Sequence, residues 1–186
     1  MITDSPTHVV RRAVQLAAAL CLMSASATAQ GYPFSQRSTL VQNVARTEIT
    51  ISYGRPIARG RALFGRLVPW DSVWHPGADS ATRITFDHDV RLDGREVKAG
   101  AYSIWLVPRE HGPWTFILSR KAHVFHTPYP GASDDAFRTD VVPESLSHME
   151  TMAIYFPVVV KDTAIMRIHW GTTALPIRVA APYRPE

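Results

Sequence analysis

Apolar residues recur at every second position through most of this chain, and that spacing is the feature that most constrains its fold. In residues 47–53, Ile49, Ile51 and Tyr53 fall on one face and polar residues fall on the other. Successive side chains of a strand point to opposite faces, whereas a helix needs apolar residues three and four positions apart. The spacing therefore predicts β-strands, and helical spacing is nearly absent.

Further runs with the same spacing follow, and turn residues separate them. The dipeptide Asp93-Gly94 lies between two short alternating runs and predicts a tight hairpin turn with positive φ. Residues 101–108 are apolar at nearly every position, which is typical of a central strand covered on both sides. Residues 114–119 alternate again and predict the second strand of a hairpin with that central strand.

The C-terminal part of the chain predicts a meander of strands separated by turns. Its strands and turns are 152–160, Lys161-Asp162, 164–170, Gly171 and 174–180. Pro157 and Pro176 lack the N–H that a strand donates, so we expect both at an edge or a bulge.

Little of the chain departs from this pattern. Residues 62–67 and 144–149 are the only predicted helical turns. Residues 123–141 carry the weakest pattern and predict a long loop that covers one end of the domain as a flap. The fold class is therefore all-β: a single-domain antiparallel β-sandwich, jelly-roll-like, with about 8–10 strands and very little helix.

The N-terminus has the pattern of a secretory leader. Arg11 and Arg12 precede the apolar run AVQLAAALCLM, and small residues follow at 27–29. A charged start, an apolar centre and small residues at the end are the marks of a signal peptide. Residues 1–29 are therefore predicted to be removed by a cut before Gln30, which leaves a periplasmic or secreted protein without a membrane span.

The rest of the chain divides into an N-terminal extension (30–38), the β-sandwich domain (39–181) and a short C-terminal tail (182–186). Cleavage would remove Cys21, the only cysteine, so we expect neither disulfides nor thiol chemistry in the product. The net charge of +4 over 186 residues is too small to indicate a nucleic-acid partner.

Residues 52–79 form a loop of unusual composition between two predicted strands. The loop holds four arginines, four glycines, three prolines and two tryptophans, and it follows neither strand nor helix spacing. Its many apolar residues are too costly to leave in water. We therefore expect an ordered loop.

Four motifs in the chain resemble those of a known family. They are YGRP, GRALFGRLVP, VWHPGA and AGAYS, and together they are similar to the bacterial secreted family known as domain of unknown function 2911, over residues 39–179. The resemblance implies a secreted, all-β domain. It implies no established activity, substrate or catalytic residue.

The chain differs from the family pattern in two places. His75 stands where the family often carries arginine, so an anion contact there would depend on pH. In the segment before Arg138 the chain keeps Asp135, but Phe125 and His126 replace a tryptophan region.

The strongest candidate site combines arginines with aromatic residues. Guanidinium groups bind carboxylates and phosphates at two points, and indole rings stack on sugars or cations. The candidate ligand-binding residues are Arg55, Arg59, Arg61, Trp70, Trp74, His75, Asp79, Tyr129 and Arg138. The alternative is structural: Arg55 and Arg61 pair with Asp71, Asp79 or Glu48, and the tryptophans belong to the core.

Two kinds of catalytic site remain as weaker candidates. His123, His126 and Asp135 could form an open metal site, but an i, i+3 spacing outside a helix points the two rings apart. We therefore expect no metal and no cofactor. A pair of carboxylates for glycoside hydrolysis would come from Glu48, Asp79, Glu96 and Glu150. Ser103 lacks the surroundings of a nucleophilic serine.

These observations favour a non-catalytic domain that binds an anionic saccharide or a cell-envelope fragment through the arginine and tryptophan loop. Two alternatives stay open. One is an envelope hydrolase that uses paired carboxylates or a metal. The other is a structural envelope protein whose surface binds a protein partner.

Overall fold

The computed structural model describes residues 35–182 as ten strands and one short 3-10 helix. The strands are β1 (Gln36–Val44), β2 (Thr47–Arg55), β3 (Arg83–Phe86), β4 (Val90–Leu92), β5 (Arg95–Val97), β6 (Gly100–Val107), β7 (Trp114–Ser119), β8 (Asp135–Val141), β9 (Glu144–Val160) and β10 (Thr163–Ala180). The predicted signal peptide, residues 30–34 and residues 183–186 lie outside the described residues.

The strands form two antiparallel sheets. The larger sheet has the order β1-β2-β3-β6-β7-β8, and the smaller has the order β5-β4-β10-β9. The β4–β5 hairpin turns at Asp93 and Gly94, which both have positive φ, and it joins β10 instead of continuing the larger sheet. The prediction of an all-β sandwich with about ten strands is confirmed.

The inner faces of both sheets share one apolar core. Ile49, Ile51 and Tyr53 of β2 are buried in it, as the alternation predicts. Side chains of β10 such as Ile168 and Ile177 enter the same core from the opposite sheet. Their burial supplies most of the stability, because each large apolar side chain removed from water contributes about 1.5–3 kcal/mol.

A second, smaller apolar cluster lies on the outer face of the larger sheet. It contains Ala81, Trp105, Val107 and Ile117. Val124 and Tyr129 cover it, and both belong to residues 120–134, which connect β7 to β8 and are called the cover segment below. Strand β6 is therefore buried on both sides, as predicted.

The end of β2 connects the two sheets through hydrogen bonds. The backbone N–H of Ile154 in β9 donates to the Tyr53 hydroxyl at 2.9 Å. Two backbone bonds continue the contact: Met152 N to Pro56 O at 2.9 Å and Ala58 N to Glu150 O at 2.8 Å. One edge of the sandwich is thus closed by ladder-like pairing.

Several predicted connections are wrong. Gly171 is no turn: β10 passes through it, and the pairing with β9 shifts register on both sides of it. Residues 144–149 belong to strand β9 and not to a helical turn. Residues 62–67 form non-helical turns. At Gly171 and in residues 144–149, pairing between β9 and β10 overrides the local signal, because glycine and polar residues are tolerated at a bulge.

Two strands arise where none is predicted. Strand β1 begins at Gln36, inside the predicted N-terminal extension, and pairs along its whole length with β2. Strand β8 takes up the second half of the predicted 123–141 loop and pairs with β7. Both are edge strands, whose exposed faces need little apolar sequence.

Within residues 35–182, no helix has the length and apolarity needed to cross a membrane.

Candidate functional site

The arginines of the predicted loop site bind the protein's own backbone. Arg55 Nε donates to Met152 O at 3.0 Å. Arg61 donates from Nε to Ala58 O at 2.9 Å and from a terminal nitrogen to Ile57 O at 2.6 Å. Arg55 therefore ties β2 to β9, and Arg61 stabilises the turn that follows.

The third arginine of this set, Arg59, is exposed and has positive φ. Its backbone N–H donates to a Glu150 carboxylate oxygen at 2.7 Å. Glu150 also accepts from His148 Nε2 at 2.8 Å. The His148 contact and the Arg59 N–H lower the pKa of Glu150.

The tryptophans of the loop pack into one aromatic cluster at the end of the core. Phe64 lies 4.7 Å from Trp114 between ring centres, and Trp74 stacks on Trp170 at 6.1 Å. Trp70 contacts both Phe64 and Trp114. These rings therefore contribute to packing, and Phe64, Trp70 and Trp74 are half-buried against the core.

A cavity of about 320 Å³ remains beside this cluster. Arg61, Phe64, His148 and Trp170 are among its lining residues. The Trp170 indole nitrogen is buried and has no hydrogen-bond partner among the described residues. Gly171 completes the wall, since a Cβ there would come within 2.8 Å of Leu63.

The outer polar side chains of β9 and β10 form two separate pairs. Arg167 and Glu144 form an ion pair at 2.7 Å. The Tyr155 hydroxyl lies 3.2 Å from His169 Nδ1. Burial lowers the pKa of His169.

Tyr129 and Arg138 meet at Asp135. The Tyr129 hydroxyl donates to one carboxylate oxygen of Asp135, and Arg138 donates to the other at 3.2 Å. Burial, together with the bond to Asp135, raises the pKa of Tyr129. Asp135 thereby anchors the end of the cover segment to β8.

Arg138 also lines a groove of about 540 Å³ together with Arg95, Arg109 and Asp140. Acidic residues balance most of this positive charge. Arg109 pairs with Asp71 at 3.0 Å, and Arg138 has the partner described above. A groove with such internal pairs has little net attraction for an anion.

A pocket of about 340 Å³ on the outer face of the larger sheet carries a different charge pattern. Its lining residues are Arg37, Ser80, Ala81, Arg83, Ala122, His123, Val124 and Phe125. We call it the basic pocket. No aspartate or glutamate is among these residues.

The guanidinium groups of the basic pocket contact a hydroxyl and an imidazole, and neither has a carboxylate partner within residues 35–182. Arg37 donates to the Ser52 hydroxyl at 3.0 Å. A terminal nitrogen of Arg83 lies 3.1 Å from His123 Nδ1, and this ring nitrogen accepts the hydrogen bond in the tautomer that carries its proton on Nε2. Phe125 is 57% exposed at the pocket, so an aromatic face is open to a ligand beside the two charges.

His75 lies next to this pocket but is buried, with 5% of its surface exposed. Trp74 pairs with Leu106 of β6, which places the His75 ring 6.0 Å from Trp105. Burial lowers the pKa of His75 to about 4, and the nearby His126 adds to the decrease. The Nε2 atom has no hydrogen-bond partner among the described residues.

His126 of the cover segment lies against His75, with the two ring centres 5.5 Å apart. Its Nδ1 donates to the Asp79 carbonyl at 2.9 Å. Phe125 packs on the other side of the His126 ring at 4.2 Å. The backbone of Asp79, and not its carboxylate, therefore contributes to this site.

The structure does not assemble the predicted trio of His123, His126 and Asp135. His123 contacts Arg83, His126 contacts His75, and Asp135 binds Tyr129. In residues 35–182, no three or more histidine, cysteine or acidic side chains are placed to hold a metal ion together.

Against known families, one match covers most of the chain. The profile of DUF2911, described as a protein of unknown function, matches residues 35–179. The chain belongs to the DUF2911 family. No significant match to it exists among curated proteins or among solved structures.

Both arginines of the basic pocket in this DUF2911 domain are absent from the sequence-based candidates. Arg83 precedes Ile84 in β3, so the alternation alone indicates that its side chain points away from the core. Arg37 lies in a strand that the sequence does not predict. Their meeting depends on the pairing of β1 and β3 with β2, which no local pattern reports.

Proposed function

We propose that this DUF2911 domain is a non-catalytic, periplasmic or secreted binding domain, and that its basic pocket receives the carboxylate or phosphate of an anionic saccharide or envelope fragment. The observation that carries this proposal is the pair of guanidinium groups, Arg37 and Arg83, in a pocket that no acidic residue lines among the described residues 35–182.

The charge of their arginines distinguishes the basic pocket from the groove lined by Arg95, Arg109 and Arg138. Arg109 and Arg138 are each in contact with a carboxylate, so their fields largely cancel a few ångströms away. Arg37 and Arg83 keep their full charge. A guanidinium presents five N–H donors, and only a small part of that capacity is used by Ser52 and His123.

The shape of the basic pocket suits a sugar that bears an acidic group. A volume of about 340 Å³ lies at the lower end of the range for small-molecule sites, about 300–1,000 Å³. Phe125 offers a ring face, on which the apolar side of a sugar can pack while its charged group reaches the arginines. Residues 122–125 of the cover segment form one wall of the pocket.

A binding assay with matched ligands tests the proposal. The full chain is titrated with oligogalacturonate and with a neutral oligosaccharide of the same length, and the shift in melting temperature and the dissociation constant are measured. We expect binding of the acidic ligand only. Arg83→Gln should weaken binding at least tenfold, since a hydrogen bond to a charged group contributes about 1.5–3 kcal/mol.

Arg91→Gln is the matched control, because Arg91 is an exposed arginine of the smaller sheet. It removes the same charge without touching the pocket and should change the affinity less than twofold. Equal binding by Arg83→Gln and the wild type would contradict the proposed site. Absence of binding by any oligouronate, peptidoglycan fragment or phosphate ester would contradict the function.

Fractionation of cells that express the full chain tests the proposed location. The product is expected outside the cytoplasm with Gln30 as its first residue, in agreement with the leader pattern of residues 1–29. An uncleaved product that stays in the cytoplasm would contradict this part of the proposal.

A further inference from the structure

The imidazole rings of His75 and of His126 in the cover segment lie close together beside the basic pocket. The centres of His75 and His126 lie 5.5 Å apart, with an angle of 42° between the ring planes. A metal–nitrogen bond is about 2.0–2.1 Å long, and the nitrogen lies roughly 1.1 Å from the centre of its imidazole ring. Two imidazoles that bind one ion at the tetrahedral angle therefore have ring centres about 5.2 Å apart. The observed separation matches that of two imidazoles that share one ion.

The hydrogen bond of His126 fixes which nitrogen can bind a metal. Its Nδ1 lies 2.9 Å from the Asp79 carbonyl oxygen, and a carbonyl only accepts hydrogen bonds. The proton therefore sits on Nδ1, and Nε2 of the neutral ring carries the lone pair. A backbone carbonyl in this position is the usual outer partner of a metal-binding histidine.

His75 provides the second nitrogen. The residue is 5% exposed, and its Nε2 is a buried polar atom without a hydrogen-bond partner among the described residues. A buried polar atom of this kind destabilises the fold unless a partner occupies the position beside it.

We infer that His75 and His126 form a two-nitrogen site for one late first-row transition-metal ion, with Cu²⁺ and Zn²⁺ as the ions of fitting chemistry. Imidazole nitrogen binds these ions well, and the Irving–Williams order places Cu²⁺ above Zn²⁺. Mg²⁺ and Ca²⁺ need oxygen ligands and are excluded by the donor set.

Two protein ligands leave coordination positions for water or for an oxygen atom of a small molecule. Phe125 packs on His126 at 4.2 Å and also lines the basic pocket. The metal site is thus adjacent to the proposed anion pocket, but it uses none of its charged groups. The two sites can therefore be tested separately.

Titration of the full chain with Cu²⁺, Zn²⁺ and Mg²⁺ tests the inference. We expect one Cu²⁺ per chain, weaker Zn²⁺ binding and no Mg²⁺ binding. The electron paramagnetic resonance spectrum of the Cu²⁺ protein should show coupling to two nitrogens. His126→Gln should lower the Cu²⁺ affinity at least tenfold and leave coupling to one nitrogen.

His111→Gln is the control for adventitious binding by an exposed histidine, and it should change the affinity less than twofold. If His75→Gln or His126→Gln fails to fold, the amide spectrum of the wild type decides the question. Addition of Zn²⁺ should then shift the resonances of residues around His75 and His126 first. Unchanged Cu²⁺ affinity in His126→Gln, or Zn²⁺-induced shifts only at other histidines, would overturn the inference.

Discussion

At the scale of single residues, His75 makes stability depend on pH. Its pKa is about 4 in the folded protein and about 6.5 in the unfolded chain. Between pH 4 and pH 6.5, His75 is protonated in the unfolded chain but not in the folded protein. Stability is therefore complete above about pH 6.5 and falls as the pH decreases toward 4, below which His75 contributes no further loss.

Urea unfolding at pH 7 and pH 4.5, with chelator present, measures this effect. The wild type should lose about 2–3 kcal/mol more than His75→Gln between the two pH values, because the variant lacks the titrating ring. Other titrating groups are common to both proteins and cancel in the difference. Equal losses in both proteins would show that His75 titrates normally.

Gly54 is a second residue whose role depends on its surroundings. A Cβ at this position would lie 2.3 Å from the carbonyl oxygen of Ala78, so the 71–79 part of the loop passes directly over β2. Gly54→Ala should destabilise the domain by about 3 kcal/mol or more, because backbone atoms on both sides must shift.

Gly112→Ala provides the comparison for Gly54→Ala. Gly112 has open space around its missing Cβ and a φ of 81°, so its substitution should cost only about 1–2 kcal/mol of left-handed strain. Chemical denaturation of both variants measures the difference. A smaller cost at Gly54 than at Gly112 would contradict the close approach.

At the scale of elements, the end of β2 is the connection between the sheets. The strand is predicted correctly from its alternation, but its last residues also pair with β9, a strand about a hundred positions later in the chain. Tyr53 is apolar in its ring and polar at its hydroxyl. It therefore fills the core and accepts the N–H of Ile154 at the same time.

Tyr53→Phe tests that connection. The substitution keeps the ring and removes the acceptor, which leaves the buried N–H of Ile154 without its partner. We expect a loss of about 1–3 kcal/mol in the free energy of unfolding, and faster amide hydrogen exchange at Ile154 than in the wild type. A loss below about 0.5 kcal/mol with unchanged exchange would show that water replaces the hydroxyl.

At the scale of the whole molecule, the net charge of +4 does not show where the unpaired positive charges lie. Arg109 and Arg138 are paired with carboxylates, whereas Arg37 and Arg83 have no carboxylate partner in the part of the chain that the structure describes. Anion binding at the basic pocket should therefore weaken several-fold between about 0.02 and 0.5 M salt, as screening shortens the reach of exposed charges.

Titration of the acidic oligosaccharide at several salt concentrations measures this dependence. The slope of the logarithm of the binding constant against the logarithm of the salt concentration should become smaller in Arg37→Gln, which has one charge fewer in the pocket. The slope should stay the same in the control Arg91→Gln. Salt-independent binding would contradict an electrostatic pocket and would favour contacts through Phe125 and hydroxyl groups alone.

Local pattern was sufficient to predict those parts of this protein that burial alone controls. Strands β2, β6 and β7 face the core with the side chains that their alternation indicates. The Asp93-Gly94 turn follows from the need for positive φ. The edge strands β1 and β8 were not predicted, because a strand that is exposed on one face and unpaired at its outer edge needs few apolar residues.

The candidate site shows the same division. Sequence composition indicated that arginines and aromatic residues matter, and it placed His75 and His126 among the candidates. Only the tertiary structure decided that Arg55 and Arg61 bind backbone carbonyls. It alone decided that Arg37 and Arg83 line one pocket and that the rings of His75 and His126 lie 5.5 Å apart. Local sequence determines the periodicity of burial, whereas contacts between distant residues depend on strand pairing, which the sequence pattern of either strand alone does not specify.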